Sequence, residues 1–189
     1  MDYSDLLLQR RSVRNYEDRP VPLAIIEEII NESILAPSSR NNQGWSFVVV
    51  DDKSVMKQIS DECKNNFLAD IQNDPLHYAK AYEQVMMNEG FNIFYNAPCV
   101  IYILAHKDYR DCFVDSALVA CYTMFAAASR GLGTCWIHFA TAIKSREMLE
   151  KLGISDEYEV IAPLIVGHPR EIPPAPKRKK PVILKIISE

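Results

Sequence analysis

Arg10, Ser12 and Arg14 alternate along the segment Arg10-Arg11-Ser12-Val13-Arg14. In extended backbone this spacing puts all three on one side of the chain. Two guanidiniums and a hydroxyl then converge where a phosphate can accept charge-assisted hydrogen bonds. The competing reading is a solvated basic turn that complements the C-terminal dipole of the preceding helix. One helix later comes Pro37-Ser38-Ser39-Arg40-Asn41-Asn42-Gln43-Gly44-Trp45. It offers hydroxyls, carboxamides and a guanidinium on a connection between a helix and a strand, where binding residues gather on a rigid frame. Pro, Ser and Asn also punctuate turns, so a helix stop plus turn is the plainer alternative. Trp45 reads as core. Together the two segments suit a phosphorylated, partly polar, planar cofactor.

Gly131-Leu132-Gly133-Thr134-Cys135-Trp136-Ile137 has the outline of a nucleotide loop. It follows a predicted helix rather than a strand, and Trp136 stands at the third glycine position, which excludes a Rossmann site or a P-loop. Its glycines either let backbone lie close to a flat ligand or form a helix cap and tight turn. Lys177-Arg178-Lys179-Lys180 is a second basic cluster. Such a run is solubilising unless it folds back to the first. His77, His106, His138 and His168 are isolated, and no Ser-His-Asp or Cys-His set stands out. Cofactor-borne chemistry fits that pattern. The five cysteines, Cys63, Cys99, Cys112, Cys121 and Cys135, form no Cys-x-x-Cys pair, which argues against a zinc site or a disulfide framework. Cys99 and Cys121 read as buried small hydrophobes.

These segments need a frame. A helix is predicted over 3–9, carrying Leu6, Leu7 and Leu8, with a polar exit through Tyr16. Pro20-Val21-Pro22 opens an amphipathic helix with Ile26, Ile29, Ile30, Ser33 and Ile34 at helical spacing, and Pro37 ends it. Strands are predicted at 46–50, 97–105 and 158–166. Asp51-Asp52 starts a helix with Met56 and Ile59 inward, whereas 64–96 shows no clean period and suggests two short helices with mobile connections. A helix over 115–130 is apolar nearly all round and so central, with Gly131 placed to end it. Residues 134–139 form a turn or short strand, 145–152 a helix, and the proline-rich basic tail leads to a last apolar strand at 182–187. Helices and strands without strict alternation favour an α+β fold. The last strand has no hairpin partner and could cross to a second subunit.

The chain has 189 residues, enough for one domain over 1–189, with 48% hydrophobic and 24% charged residues, as in soluble globular proteins. A net charge of -4 gives no footing for nucleic acid or an anionic membrane. The acidic start, Met1-Asp2-Tyr3-Ser4-Asp5, is unlike a signal peptide. The longest apolar stretch, about 117–128, is too short and too interrupted for a span. A cytoplasmic protein is expected.

The chain resembles the nitroreductase family of FMN-dependent NAD(P)H oxidoreductases. The resemblance rests on Arg10 to Arg14, Ala36 to Trp45, Asp115 with its apolar helix, Gly131 to Ile137, and Gly167-His168-Pro169 before a basic tail, all in family order. It implies a nitroreductase-like mixed sheet surrounded by helices and an obligate homodimer with FMN at the interface. By the same resemblance, Arg10, Ser12 and Arg14, with Arg11 in the same motif, hold the phosphate and nearby ribityl oxygens. Lys177 and Lys179 join them, with Arg178 competing. Pro37, Ser38, Ser39 and Asn41 contact the flavin from the other subunit, and Ile137 and His138 lie near its reactive edge. His138 is the one candidate for a direct catalytic part.

The implied activity is ping-pong hydride transfer from NADH or NADPH to a nitroaromatic, quinone or similar acceptor. The alternatives are a flavin storage or sensor protein, or same-fold chemistry such as reductive dehalogenation. Gly44 stands where the family commonly has Pro, and His138 where many members have a small residue. Residues 65–96 match the family least; Phe91, Phe94 and Tyr95 are candidates there for a substrate wall.

Overall fold

The computed structural model describes residues 2–74 and 76–188. In chain order its elements are α1 (Tyr3–Gln9), α2 (Leu23–Ser33), β1 (Trp45–Val50), α3 (Lys53–Asn73), α4 (Glu83–Met86), β2 (Cys99–His106), α5 (Cys112–Ser129), β3 (Gly133–Trp136), α6 (Arg146–Lys151) and β4 (Tyr158–Gly167). The fold is α+β. The sheet order is β1-β2-β4-β3, and all three ladders are antiparallel. Among the described residues the parallel element is a single bridge from Ser12 to Thr134.

β2 is the centre. Every residue from Cys99 to Ala105 is at most 3% exposed, as expected for a β-branched run covered on both faces. Its alternation sorts two layers. Cys99 and Ile101 pack with Ile26, Ile29 and Ala127 of α2 and α5, and Ile103 with Val119 and Ala120 of α5. Val100, Tyr102 and Leu104 face Met56, Ile59 and Cys63 of α3. α5 has the length and mean hydropathy, 1.5, of a membrane-crossing helix. Yet it lies on the sheet and on α2, with Val119, Ala120, Thr123, Ala126 and Ala127 buried.

Three expectations change. Residues 64–73 are not irregular but continue α3. Cys63, Phe67 and Ile71 keep the four-residue rhythm of one buried face, which the polar residues between them mask. The short helical segments come later, as a 3-10 turn at Tyr78–Tyr82 and as α4. Residues 182–187 form no ladder among the described residues, and Val182, Leu184 and Ile187 are at least 84% exposed. Cys121 is half-buried rather than buried.

The glycine segment also resolves. Gly131, at φ 74, ends α5, and Gly133 lets β3 approach the N-terminal segment: a Cβ there would sit 2.7 Å from Val13 Cγ2. Close approach is therefore to the protein's own Val13 side chain. Gly133→Ala is expected to destabilise the fold by about 1–3 kcal/mol through overpacking, read as a lower denaturant midpoint with an unchanged slope.

Candidate functional site

The Arg10–Arg14 segment leaves α1 and lies along β3. Val13 N donates to Thr134 O at 2.9 Å, and Val13 is 2% exposed. That fixes the alternation: Val13 points in, while Ser12 and Arg14 are exposed. The Tyr16 hydroxyl donates to Val13 O at 2.8 Å and closes the segment. Arg14, Ser12 and Arg10 all act on one thiol. Burial pushes Cys135 up, while the two guanidiniums and a hydrogen bond from Ser12 pull it back. The segment thus runs beside β3, with Ser12 bridged to Thr134 and Arg10 Nη1 3.9 Å from Met124 Sδ.

Arg11 behaves differently. Its guanidinium donates to Arg10 O at 2.7 Å, and its Nε is buried without a partner beside a small cleft of about 70 Å³ lined by Gly131, Gly133 and Thr134. Among the described residues no carboxylate pairs with Arg10, Arg11 or Arg14. Clustered cations without a counter-charge are a donor set that fits an anion such as a phosphate.

The Pro37–Gly44 loop is built quite differently. Arg40, Asn41 and Gln43 have φ of 53, 57 and 50, a left-handed conformation costing about 1 kcal/mol or more per non-glycine residue. Local bonds hold it: Gln43 N to Ser38 Oγ at 3.0 Å and Gln43 Nε2 to Asn41 Oδ1 at 3.2 Å. The anchor is remote in sequence. Ser39 N donates to Asp115 Oδ2 at 3.0 Å, and the Tyr109 hydroxyl donates to the same oxygen. Asp115 is 3% exposed in the first turn of α5. By accepting that bond it holds the Tyr109 phenol above its usual range. Trp45 is half-buried, packed against the cluster that includes Ala36 and Val119.

Within one chain the two segments do not meet. Ser12 is bridged to Thr134, just beyond the C-terminal end of α5, whereas Ser39 is tied to Asp115 near its start. The helix between Asp115 and Ser129 spans about 21 Å at its standard rise. The sheet agrees: β3 and β1 are its opposite edges, about 14 Å apart at ordinary strand spacing.

Ile137 is 4% exposed and bonds to Pro163 O at 2.8 Å. His138 is exposed, 5.9 Å from the Tyr78 ring, and borders a depression of about 300 Å³ with Phe113 and Tyr158. Lys177, Arg178 and Lys179 are exposed and belong to no helix or strand. Phe91 and Tyr95 border a groove of about 650 Å³, while Phe94 is fully buried and so is no wall. Arg14 lies over the Tyr95 ring, 5.8 Å from its centroid.

The nitroreductase family pattern matches residues 7–168. The chain belongs to the nitroreductase family. A relative from Archaeoglobus fulgidus, provisionally named NADH dehydrogenase/NAD(P)H nitroreductase, is 26% identical over 88% of this chain and 84% of its own. A crystal structure of a nitroreductase with bound FMN from Bacteroides fragilis superposes with a TM-score of 0.82 at 20% identity, covering 100% of both chains. An iodotyrosine deiodinase bound to FMN and 3-iodo-L-tyrosine gives 0.77 at 22% identity, covering 97% of this chain and 98% of that one. At these identities the structural likeness is one of fold. This member therefore shares its architecture with FMN-bound oxidoreductases.

Asp115 stood out in the sequence as part of a family motif, but its hold on the loop did not, nor did Tyr109. The signal lay in Gly44. A Cβ there would sit 2.6 and 2.7 Å from two Tyr109 ring carbons, so glycine makes room for the phenol. Gly44→Ala should displace Tyr109 and cost about 1–3 kcal/mol, visible as a lower thermal midpoint. Combining it with Tyr109→Ala, which vacates that space, should make the two effects less than additive.

Proposed function

We propose that this nitroreductase-family protein is a homodimeric FMN-dependent oxidoreductase, a single domain over residues 1–189 that passes electrons from NADH or NADPH to a small acceptor such as a nitroaromatic or a quinone. The observation that carries the reading is the Arg10–Ser12–Arg14 cluster, cationic and without carboxylate partners among the described residues. These side chains hold the phosphate and adjacent ribityl oxygens. Arg11 supports the segment through Arg10 O. Bound FMN supplies the two-electron chemistry between donor and acceptor.

The ring end has its own support. From Thr134 to Ile137 an extended run covers about 10 Å, so Ile137 and His138 lie away from the phosphate clamp, as an elongated ligand requires. Backbone N–H groups and cationic side chains near the ring stabilise negative charge there. His138 stands at that end, exposed to whatever acceptor enters.

Two copies complete the site. The Ser12 bridge and the Ser39 tie lie toward opposite ends of α5, whose run from Asp115 to Ser129 is about 21 Å, and a second protomer supplies Pro37, Ser38, Ser39 and Asn41. α5 leaves Phe113, Val114, Leu118 and Tyr122 at least 37% exposed, and α1 leaves Leu7 and Leu8 exposed, apolar area of the kind that marks an interface. The outer edge of β1 has no partner strand among the described residues. The unpaired 182–187 segment matches β1 in length and has the character for strand addition. The tail then carries Lys177 and Lys179, or Arg178, toward the phosphate. Removing residues 181–189 is expected to shift the protein toward monomer in size-exclusion chromatography.

The decisive test is the visible spectrum of the purified protein with FMN, recorded anaerobically before and after NADH and then NADPH. Bleaching of a flavin spectrum by either donor is expected. A flavin that stays oxidised points to storage or sensing, and failure to bind FMN overturns the reading. Product analysis with nitro, quinone and halogenated aromatic acceptors separates reduction from dehalogenation. Arg14→Ala should raise the FMN dissociation constant about tenfold or more, the scale of one charge-assisted hydrogen bond.

A further inference from the structure

The carboxylate of Asp115 has no part in the chemistry proposed above and no cationic partner among the described residues, yet it is 3% exposed. Burying an unpaired charge is costly unless donors compensate. Here they are two, the Ser39 N–H and the Tyr109 hydroxyl, both on Oδ2. Tyr109 is itself placed rigidly. Its N–H donates to His106 O at 2.9 Å and its carbonyl accepts from Cys112 N at 3.1 Å, so it sits in the tight turn between β2 and α5. Its ring packs beside Ala105, Cys112 and Ile161. Gly44 leaves room for the ring.

The loop held by this group is the strained one. Arg40, Asn41 and Gln43 are left-handed, and such backbone persists only where its surroundings over-determine it. The bonds from Gln43 to Ser38 and Asn41 lie within the loop and would move with it. Asp115 and Tyr109 belong to the sheet-and-helix frame, and so hold the loop from outside.

We infer that Asp115 and Tyr109 form a positioning pair that keeps residues 38–43 in their flavin-contacting conformation before any cofactor binds. The inference rests on the proposed function for its consequence, flavin affinity. The pair acts through the Ser39 N–H, so that the strain of the loop is met by the folded frame rather than by binding energy.

The test uses the full-length protein and two readouts. The first is amide hydrogen exchange without added flavin, comparing the peptide spanning residues 39–43 with one from α6. In Tyr109→Phe, which keeps the ring and removes its hydroxyl, exchange in the loop should rise about three- to tenfold, the scale of one net hydrogen bond, with α6 unchanged. Asp115→Asn keeps an acceptor of the same shape and should loosen the loop less than Asp115→Ala. The second readout is FMN affinity, expected to fall by a similar factor in Tyr109→Phe. Loop exchange that is unchanged, or that rises only in step with α6, overturns the pair as a brace. A looser loop with unaltered FMN affinity overturns its link to the cofactor. A wild-type protein that does not bind FMN at all overturns the proposed function, and the exchange result still decides the brace.

Discussion

The antiparallel ladder between β2 and β4 is the constraint on which the rest depends. Its register runs from Cys99 opposite Val166 to His106 opposite Tyr158, and most of both strands is excluded from water. Strands covered on both faces cannot slip by one residue without exchanging the whole of one layer for the other. That locks α2 and α5 to one face and α3 to the other. It also sets the edges, with β1 beside β2 and β3 beside β4. Each functional segment hangs from an edge: the basic segment from β3, and the loop of hydroxyls and amides immediately before β1.

α5 is the second organising element. Its apolar character reflects two duties. One face packs on the sheet and α2, and the other is left uncovered in the single chain. It also connects the two functional segments physically. Its first turn holds Asp115 against the loop, and its far end turns through Gly131 into β3 beside Ser12. In the proposed dimer, spacing between the basic segment and the loop is thus a matter of helix length.

Much of this was legible in the sequence. β2 and β4 were plain, because uninterrupted β-branched runs have few alternatives, and α2 announced itself through Pro22 and the spacing of Ile26 and Ile29. The alternation of Arg10, Ser12 and Arg14 survives into the structure because Val13 is the buried tooth between them. What stayed hidden was long-range. The second half of α3 was disguised because Asn65, Asn66 and Asp70 interrupt its apolar spacing, Asn66 bonding instead to Ala142 O. Arg11 departs from its neighbours because the same alternation turns it away. The Asp115–Ser39 contact joins positions 76 residues apart, and no local pattern reports such a bond. Gly133 read as a ligand approach or a turn and Gly44 as a departure from the family's Pro, but each is a vacancy shaped by a side chain from elsewhere, Val13 and Tyr109.

The length of α5 has a genetic consequence. In the proposed dimer each flavin site draws its clamp from one protomer and its loop from the other. A protomer crippled in the clamp and a protomer crippled in the loop, joined as a heterodimer, place both lesions in one site and leave the other whole. Two inactive alleles of this protein would then complement each other when expressed together, recovering one working centre per dimer.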